Sequence, residues 1–463
     1  MATTPSTEIN ILAISDYQLM LDAYRGSGGF KTGAYLVRHK REEDEDYADR
    51  QKVSHYHNYL APVVGAHVDP IFRKQISRDK SGGAMWDLLS ANVDLAGSGI
   101  DDFMHSAAIA GRRDDLHFLS VSAPIKAPNS AADEPTARPW AYRIQANAVK
   151  DVERDEWGRP TSITWAFREG DTTLLRTLTG EGWSTTDEEG TPSEGEGMAG
   201  TWKVRRATAP VVMIAPNGWD DDEERPTPSL LGIARTNHRI FNQVSELDEI
   251  ERKMTFPMWT YPSKEPGNLT IGVNNMLGYD PSSAHEPEIK SPSKDSAETM
   301  AAGIKRNIDE IYRMAGLSQG SAEGATTQSG VAKQLDRAQL DASLSAYGEY
   351  LSDIESQLWD LFGWITGKDL STTVSYPAEF TSADLDIELA ALASALQIGA
   401  GPLFAQQVRK RLSRVVLPMA DTEILAEIDA EIEDMQQADL AALPPPPVVP
   451  PAGGTPPAEV DAQ

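Results

Sequence analysis

The chain contains eight histidines, 70 Asp and Glu residues and no cysteine, so any acid–base or metal chemistry has to come from imidazoles and carboxylates. Disulfides, thiolate nucleophiles and cysteine-ligated zinc or iron–sulfur sites are excluded. The tightest histidine group is His55 and His57, with His67 and Asp69 further along the same stretch. Two positions apart on a helix, His55 and His57 face different sides, unlike the i, i+4 pair that shares one metal, so they read as structural. The pairs Asp101–Asp102 and Asp114–Asp115 have the residue types of a hydrolase acid and base. Adjacent side chains diverge, however, and such pairs are commonplace in a chain this acidic. RGSGGF at Arg25–Phe30 has glycines but no phosphate-binding helix signature behind it, and reads as a flexible turn. There is no H-E-x-x-H and no Walker lysine loop. Trp140, Trp157, Trp165, Trp183, Trp202 and Trp219 have the ring faces of a base-stacking platform, but at strand spacing they read as core. No catalytic residue, metal or cofactor is expected.

The elements that hold these residues follow from hydrophobic period. Val53, Tyr56, Tyr59, Leu60, Val63, Val64 and Val68 recur every three or four residues, which predicts one helix across Tyr47–Phe72, started by the acidic run Glu42–Asp46. Trp86–Ile109 is helical across a break at Gly97 and Gly99. Between Leu116 and Met213 the pattern changes to short alternating runs, LHFLSVSAPI, AYRIQ, SITWAF, TLLRTL, TWKVRRA and PVVMIA, which predict antiparallel strands, with Thr185–Gly200 a loose hairpin loop. DDDEERPTPS is a solvated acidic loop ending in an N-cap, Ser229. Leu230–Met254 and Ala297–Met314 are helices bracketing a small β island, FPMWTY and LTIGV, too small for a core of its own. LSQGSAEGATTQSG, from Leu317, is a mobile loop of small polar residues. Val331–Ile365 is a helix of about nine turns. The strand TTVSYPAEF and an alanine-rich bundle over Ala383–Leu396, Pro402–Val415 and Asp421–Leu440 follow. The last twenty residues hold eight prolines and should be extended.

Length suggests roughly two to four domains, and 40% hydrophobic with 24% charged residues is ordinary globular composition. A net charge of −28 is opposite in sign to that of proteins that grip phosphates, so tight nucleic-acid binding is disfavoured. No apolar run approaches the ~18 residues that span a bilayer, and MATTPSTEIN lacks the basic and apolar parts of a leader. Use in the cytoplasm, or in something assembled there, is the expectation.

Several phrases, in order, resemble the portal proteins of tailed bacteriophages: AYLVRHKREEDEDYADR, VVGAHVDPIFRK, RPWAYRIQANAVKDVERDEWGRPTSITW, PTPSLLGIARTNHRIFNQVSELDEI, FPMWTYPS, LTIGVNNMLGY, IYRMAGL and SGVAKQLDRAQLDASLSAYGEYLSDIESQLWDLF. The resemblance runs from about Tyr35 to about Leu440, and the collinearity of these phrases carries it. It implies an α+β portal fold, with a wing at 1–225, stem helices at 226–256 and 297–316, and a clip between them at 257–296. A tunnel loop at 317–330, the tunnel helix and a returning wing strand at 331–382, a helical crown at 383–443 and a proline-rich tail at 444–463 complete it. It implies a ring, typically a dodecamer, at one capsid vertex, assembled in the host cytoplasm. Partners would be the large terminase subunit, head–tail adaptor and tail proteins, major capsid protein and scaffold, and double-stranded DNA in transit. Carried over by position, the channel residues are Ser318, Gln319, Ser321, Thr326, Thr327 and Gln328 of the loop, with Lys333 and Arg337 behind it. Trp259, Tyr261, Asn274, Asn275 and Tyr279 would lie on the clip surface that docks terminase or adaptor. An acidic sleeve repels the phosphate backbone and lets DNA slide. Another virion ring protein, such as an adaptor, and an acidic cytoplasmic hydrolase are the alternatives.

Overall fold

In a computed structural model, the described residues are 15–40, 42–124, 138–220, 223–255, 259–262, 276–279, 282, 294–317, 330–378, 380, 389, 392–396, 401–417 and 422–441. Two compact units divide between Phe380 and Thr381, the first of mixed helix and sheet.

The first unit opens with α1 (Asp16–Arg25), whose Ser15 side chain accepts the Gln18 N–H and whose C-terminus closes on left-handed Gly26. RGSGGF is an ordered corner and not a flexible turn. Its last three residues begin α2 (Gly28–Thr32), and it buries Phe30, 2% exposed, edge-on to Tyr35 at 5.0 Å and against Tyr56 at 4.1 Å. The single helix expected over Tyr47–Phe72 is broken into α3 (Asp44–Val53), an extended link, α4 (Leu60–Ala66) and a 3-10 turn at Asp69–Phe72. Pro62 is the physical cause: inside a continuous helix its ring would clash with the carbonyl four residues back, so the helix restarts with Pro62 in its first turn. Asp44, Glu45 and Asp46 do occupy the first turn of α3. The glycine break is also present, separating α5 (Gly83–Ala91) from α6 (Ile100–Asp114).

The strand β2 (His117–Ser122) is buried on both faces because two cores share it. Leu119 and Val121 face the main helical core, while Phe118 faces a smaller core of Ile144, Ile163, Trp165 and Leu178. β2 is the middle strand of an antiparallel sheet between β3 (Trp140–Gln145) and β9 (Val211–Ile214). A second antiparallel sheet runs in sequence order through β4 (Val149–Arg154), β5 (Pro160–Glu169), β6 (Thr172–Thr179), β7 (Gly182–Thr186) and β8 (Gly200–Thr201), with the expected loop between β7 and β8. TWKVRRA is not a strand beyond Thr201. Its Trp202 and Arg206 N–H groups donate to Glu181 and Gly180 carbonyls at the β6–β7 turn, so the segment wraps that turn instead of extending the sheet. Trp165 is core, as expected, but Trp157 is 69% exposed on the β4–β5 turn, where Arg159 covers its ring.

The chain then forms α7 (Leu231–Thr255), β10 (Trp259–Pro262), β11 (Met276–Tyr279), α8 (Lys294–Met314), α9 (Gly330–Thr366) and β12 (Thr372–Ser375). Ser229 is not shown capping α7; its backbone N–H donates to the Asp115 carboxylate, tying the helix start to the end of α6. β12 returns to pair antiparallel with β1 (Ser77–Lys80), a partnership across nearly three hundred residues.

The second unit contains α10 (Pro402–Val416) and α11 (Thr422–Ala441). α10 carries four cations, Arg409, Lys410, Arg411 and Arg414, and α11 seven carboxylates and no cation. Lys410–Glu433 at 2.6 Å and Arg414–Asp429 at 3.0 Å show that the two run antiparallel. Of Ala383–Leu396, only 389 and 392–396 are described, as helix, and the tail from Pro444 lies outside the described residues.

Candidate functional site

The second half of the first unit joins two long helices into a hairpin. At 1.5 Å per residue α7 is about 37 Å long and α8 about 31 Å. Asn307 Nδ2 donates to Gln243 Oε1 at 2.7 Å, and a Cβ on Gly232 would meet Met314 Sδ at 3.5 Å, so α8 descends as α7 ascends. The base of the hairpin is rooted: Leu231, Ile233, Ala234, Ile240 and Phe241 on α7 and Ile311 on α8 are buried. From Glu246 to Arg252 no residue is buried, so the distal half leaves the core. The acidity of the chain does not lie on this hairpin. Arg235, Arg239, Arg252 and Lys253 balance Glu246, Asp248, Glu249 and Glu251 on α7, and α8 has four charges of each sign.

Between the helices, β10 and β11 pair in parallel, with Trp259 opposite Met276 and Pro262 opposite Tyr279. The second described strand is MLGY; LTIGV lies outside the described residues. Two strands of four residues cannot stabilise themselves, and among the described residues neither has another partner. Trp259, Tyr261 and Tyr279 lie on these strands; Asn274 and Asn275 fall outside the described residues.

Where α8 ends, the chain is fixed in place. Leu317 N–H donates to Tyr312 O and Gly316 N–H to Arg313 O, the paired bonds of a Schellman end, with Gly316 at φ 65°. Buried His67 donates from Nε2 to Ala315 O at 2.9 Å, and burial, followed by the Arg112 charge, lowers its pKa. The histidine stretch forms no shared site: Asp69 pairs with His105 at 2.9 Å, whereas His55 and His57, expected to face different sides of a helix, lie in the extended link with ring centres 5.0 Å apart. Asp101 engages Arg78 at 2.6 Å, and Asp114 engages Arg113. Among the described residues no group of three His, Asp or Glu side chains could hold a metal.

α9 extends for about 55 Å. Its C-terminal half is clamped: Tyr347 Oη donates to Ala108 O at 2.7 Å and Tyr350 Oη accepts the Ala215 N–H at 2.8 Å. Glu355, 0% exposed, accepts from Arg78 Nε at 2.6 Å and from Tyr376 Oη at 2.8 Å. Tyr347 and Tyr350 fix the helix against α6 and the end of β9, and Glu355 against β1 and the residue after β12; their wide separation in sequence gave no local signal. At the other end, residues 338 and 339 are exposed. The backbone of Lys333 and Arg337 lies in the first turns of α9. The loop residues Ser318, Gln319, Ser321, Thr326, Thr327 and Gln328, like the side chains of Lys333 and Arg337, lie outside the described residues.

Two motif matches lack the context their chemistry requires. GLSQG at 316–320 fits G-x-S-x-G around Ser318, but a nucleophile elbow needs a strand leading into the serine, and here α8 leads into it. GEGMAG at 195–200 fits G-x-G-x-x-G, but it joins β7 to β8 and opens no helix.

No protein-family model matches the chain, and no curated protein does. Solved structures do. A chain of the virion of a native gene transfer agent particle is 12% identical with a TM-score of 0.41, covering 90% of this chain and 97% of that chain. A chain from the neck of the native particle, computed with C12 symmetry, has the same values. One from the neck of the empty particle, computed with C6 symmetry, is 12% identical with a TM-score of 0.37, covering 78% and 90%. At these values the likenesses assign neither family nor function. Among the described residues no helix is long and apolar enough to cross a membrane.

Proposed function

We propose that the chain is the portal subunit of a tailed phage, closing into a ring of about twelve copies at one capsid vertex. One observation carries the reading: a rooted antiparallel hairpin of α7 and α8, tipped by a β element that cannot stand alone, precedes a long helix, in the order implied by the portal-like phrases of the sequence. Among the described residues β10 and β11 pair only with each other, which favours pairing with a neighbouring copy, since a ring leaves no copy without one. The charge-balanced hairpin suits a wall that passes DNA without holding it, because affinity for the duplex grows with each phosphate neutralised. In this role the ring nucleates head assembly, docks the packaging terminase and later the adaptor at the clip, and conducts DNA past the 317–330 loop, with Lys333 and Arg337 as weak phosphate contacts. No covalent chemistry is assigned to the chain. Negative-stain images of the purified protein test this: end-on rings with a central hole support it, and small solid particles refute it.

A further inference from the structure

A cavity of about 220 Å³ opens where α1, α6, β2 and β3 converge, and its wall includes Arg25, Ser106, Arg113, His117, Arg143 and Gln145. The register explains the convergence. His117 lies opposite Gln145 and Leu119 opposite Arg143, so alternation places all four on one face of the sheet, beneath the C-terminal turns of α1 and α6. His117 is 1% exposed, and neither of its ring nitrogens has a hydrogen-bond partner. A neutral imidazole offers one donor and one acceptor, and buried polar groups in native proteins nearly always have partners, so both point to an occupant. Burial first, then Arg113 and Arg143, hold its pKa down to about 3.

Of the three arginines at this point, Arg25 and Arg143 form no ion pair among the described residues. Arg113 is neutralised by its neighbour Asp114, its Nε donating to Oδ1 at 2.6 Å, and its guanidinium lies 5.5 Å from the Tyr24 ring centre. Arg25 and Arg143 are exposed at the rim. Asp94 acts on Arg143 from outside the wall, but its carboxylate already accepts the Ala96 and Ser98 N–H groups. No carboxylate lines the cavity among the described residues. Its volume would hold about seven waters at roughly 30 Å³ each, or a tetrahedral anion with part of its hydration shell.

We propose that this cavity binds a small oxyanion of the phosphate and sulfate class, held by Arg25 and Arg143 at the rim and by the His117 ring within. The site lies within one copy of the chain and does not depend on the portal reading. Calorimetric titration of the full chain with inorganic phosphate, at ionic strength held constant with sodium chloride, tests it. Saturable binding is expected, accompanied by a shift of the His117 ring nitrogen resonances. Arg25→Gln and Arg143→Gln, both at exposed positions, should each weaken binding fivefold or more while leaving the melting temperature without phosphate unchanged. A response no greater than that to chloride would mean that the cavity holds water only and would overturn the proposal. So would undiminished affinity in both variants.

Discussion

Replacing Glu355 by Gln removes one charge from a nearly dry site and tests what fastens the long helix. The Glu355 carboxylate takes hydrogen bonds from Arg78 Nε at 2.6 Å, Arg78 Nη2 at 3.1 Å, Tyr376 Oη at 2.8 Å and Trp359 Nε1 at 3.2 Å. Its side chain is 0% exposed and that of Arg78 10%. In Glu355→Gln the amide oxygen can still accept from Arg78, but the only carboxylate left paired with Arg78 is Asp101, whose side chain is 63% exposed and correspondingly screened. Removing one partner of a buried pair costs about 3–5 kcal/mol, and the surviving Asp101 contact places this case near 3 kcal/mol. For a unit of this size, at ~2.1 cal/mol/K of unfolding entropy per residue, that lowers the melting temperature by roughly 4 °C. The double variant Arg78→Met, Glu355→Leu removes both charges together and should recover most of the loss, because apolar replacement of a whole buried pair is often close to neutral. Urea unfolding of the wild type, Arg78→Met alone, Glu355→Leu alone and the double variant yields the coupling energy. A coupling below about 0.5 kcal/mol would show that the pair does not fasten α9 to β1.

Acid should weaken the fold through its buried imidazoles. Burial lowers the pKa of His67, His117 and His238, that of His117 to about 3, whereas unfolded imidazoles titrate near 6.5. Below pH 6.5 the unfolded chain therefore binds more protons than the folded one, so stability falls from pH 6.5 toward 3, by up to ~1.4 kcal/mol per pH unit for His117 alone. His117→Gln should flatten that slope in urea titrations, and an unchanged slope counts against the assignment. Gly33 has φ 74°, and a Cβ there would lie 2.6 Å from the Gln51 carbonyl oxygen, so Gly33→Ala should cost about 2 kcal/mol or more, and a loss under ~0.5 kcal/mol would contradict the contact. Lys333→Gln with Arg337→Gln should leave the mass of the assembled protein unchanged but reduce the DNA packaged per head; wild-type packaging would remove both residues from the channel.

Local patterns disclosed the helices well. The acidic start of α3, the glycine break between α5 and α6, and the three long helices α7, α8 and α9 all follow from apolar period and end signals within one window. The failures have physical causes outside such windows. Pro62 outweighs a good apolar stripe because a ring clash cannot be averaged away. RGSGGF looks like a mobile turn until Phe241, two hundred residues later, covers Phe30 at 5.5 Å. Trp202 leaves the strand pattern because its indole donates to Thr179 O at 2.8 Å on the turn beside it. The residues that fasten the candidate channel elements, Arg78, Glu355, Tyr376 and His67, lie on separate segments, so no spacing rule unites them. The arginine-rimmed cavity is equally non-local, since β2 and β3 bring His117 and Arg143 together only through their register.

The ring is tested most directly by the native mass of the purified full-length protein. Twelve copies of a 50.4 kDa chain predict a species of about 600 kDa that withstands dilution, as closed cyclic assemblies with every edge paired should. A species near 50 kDa at all concentrations would contradict the portal assignment.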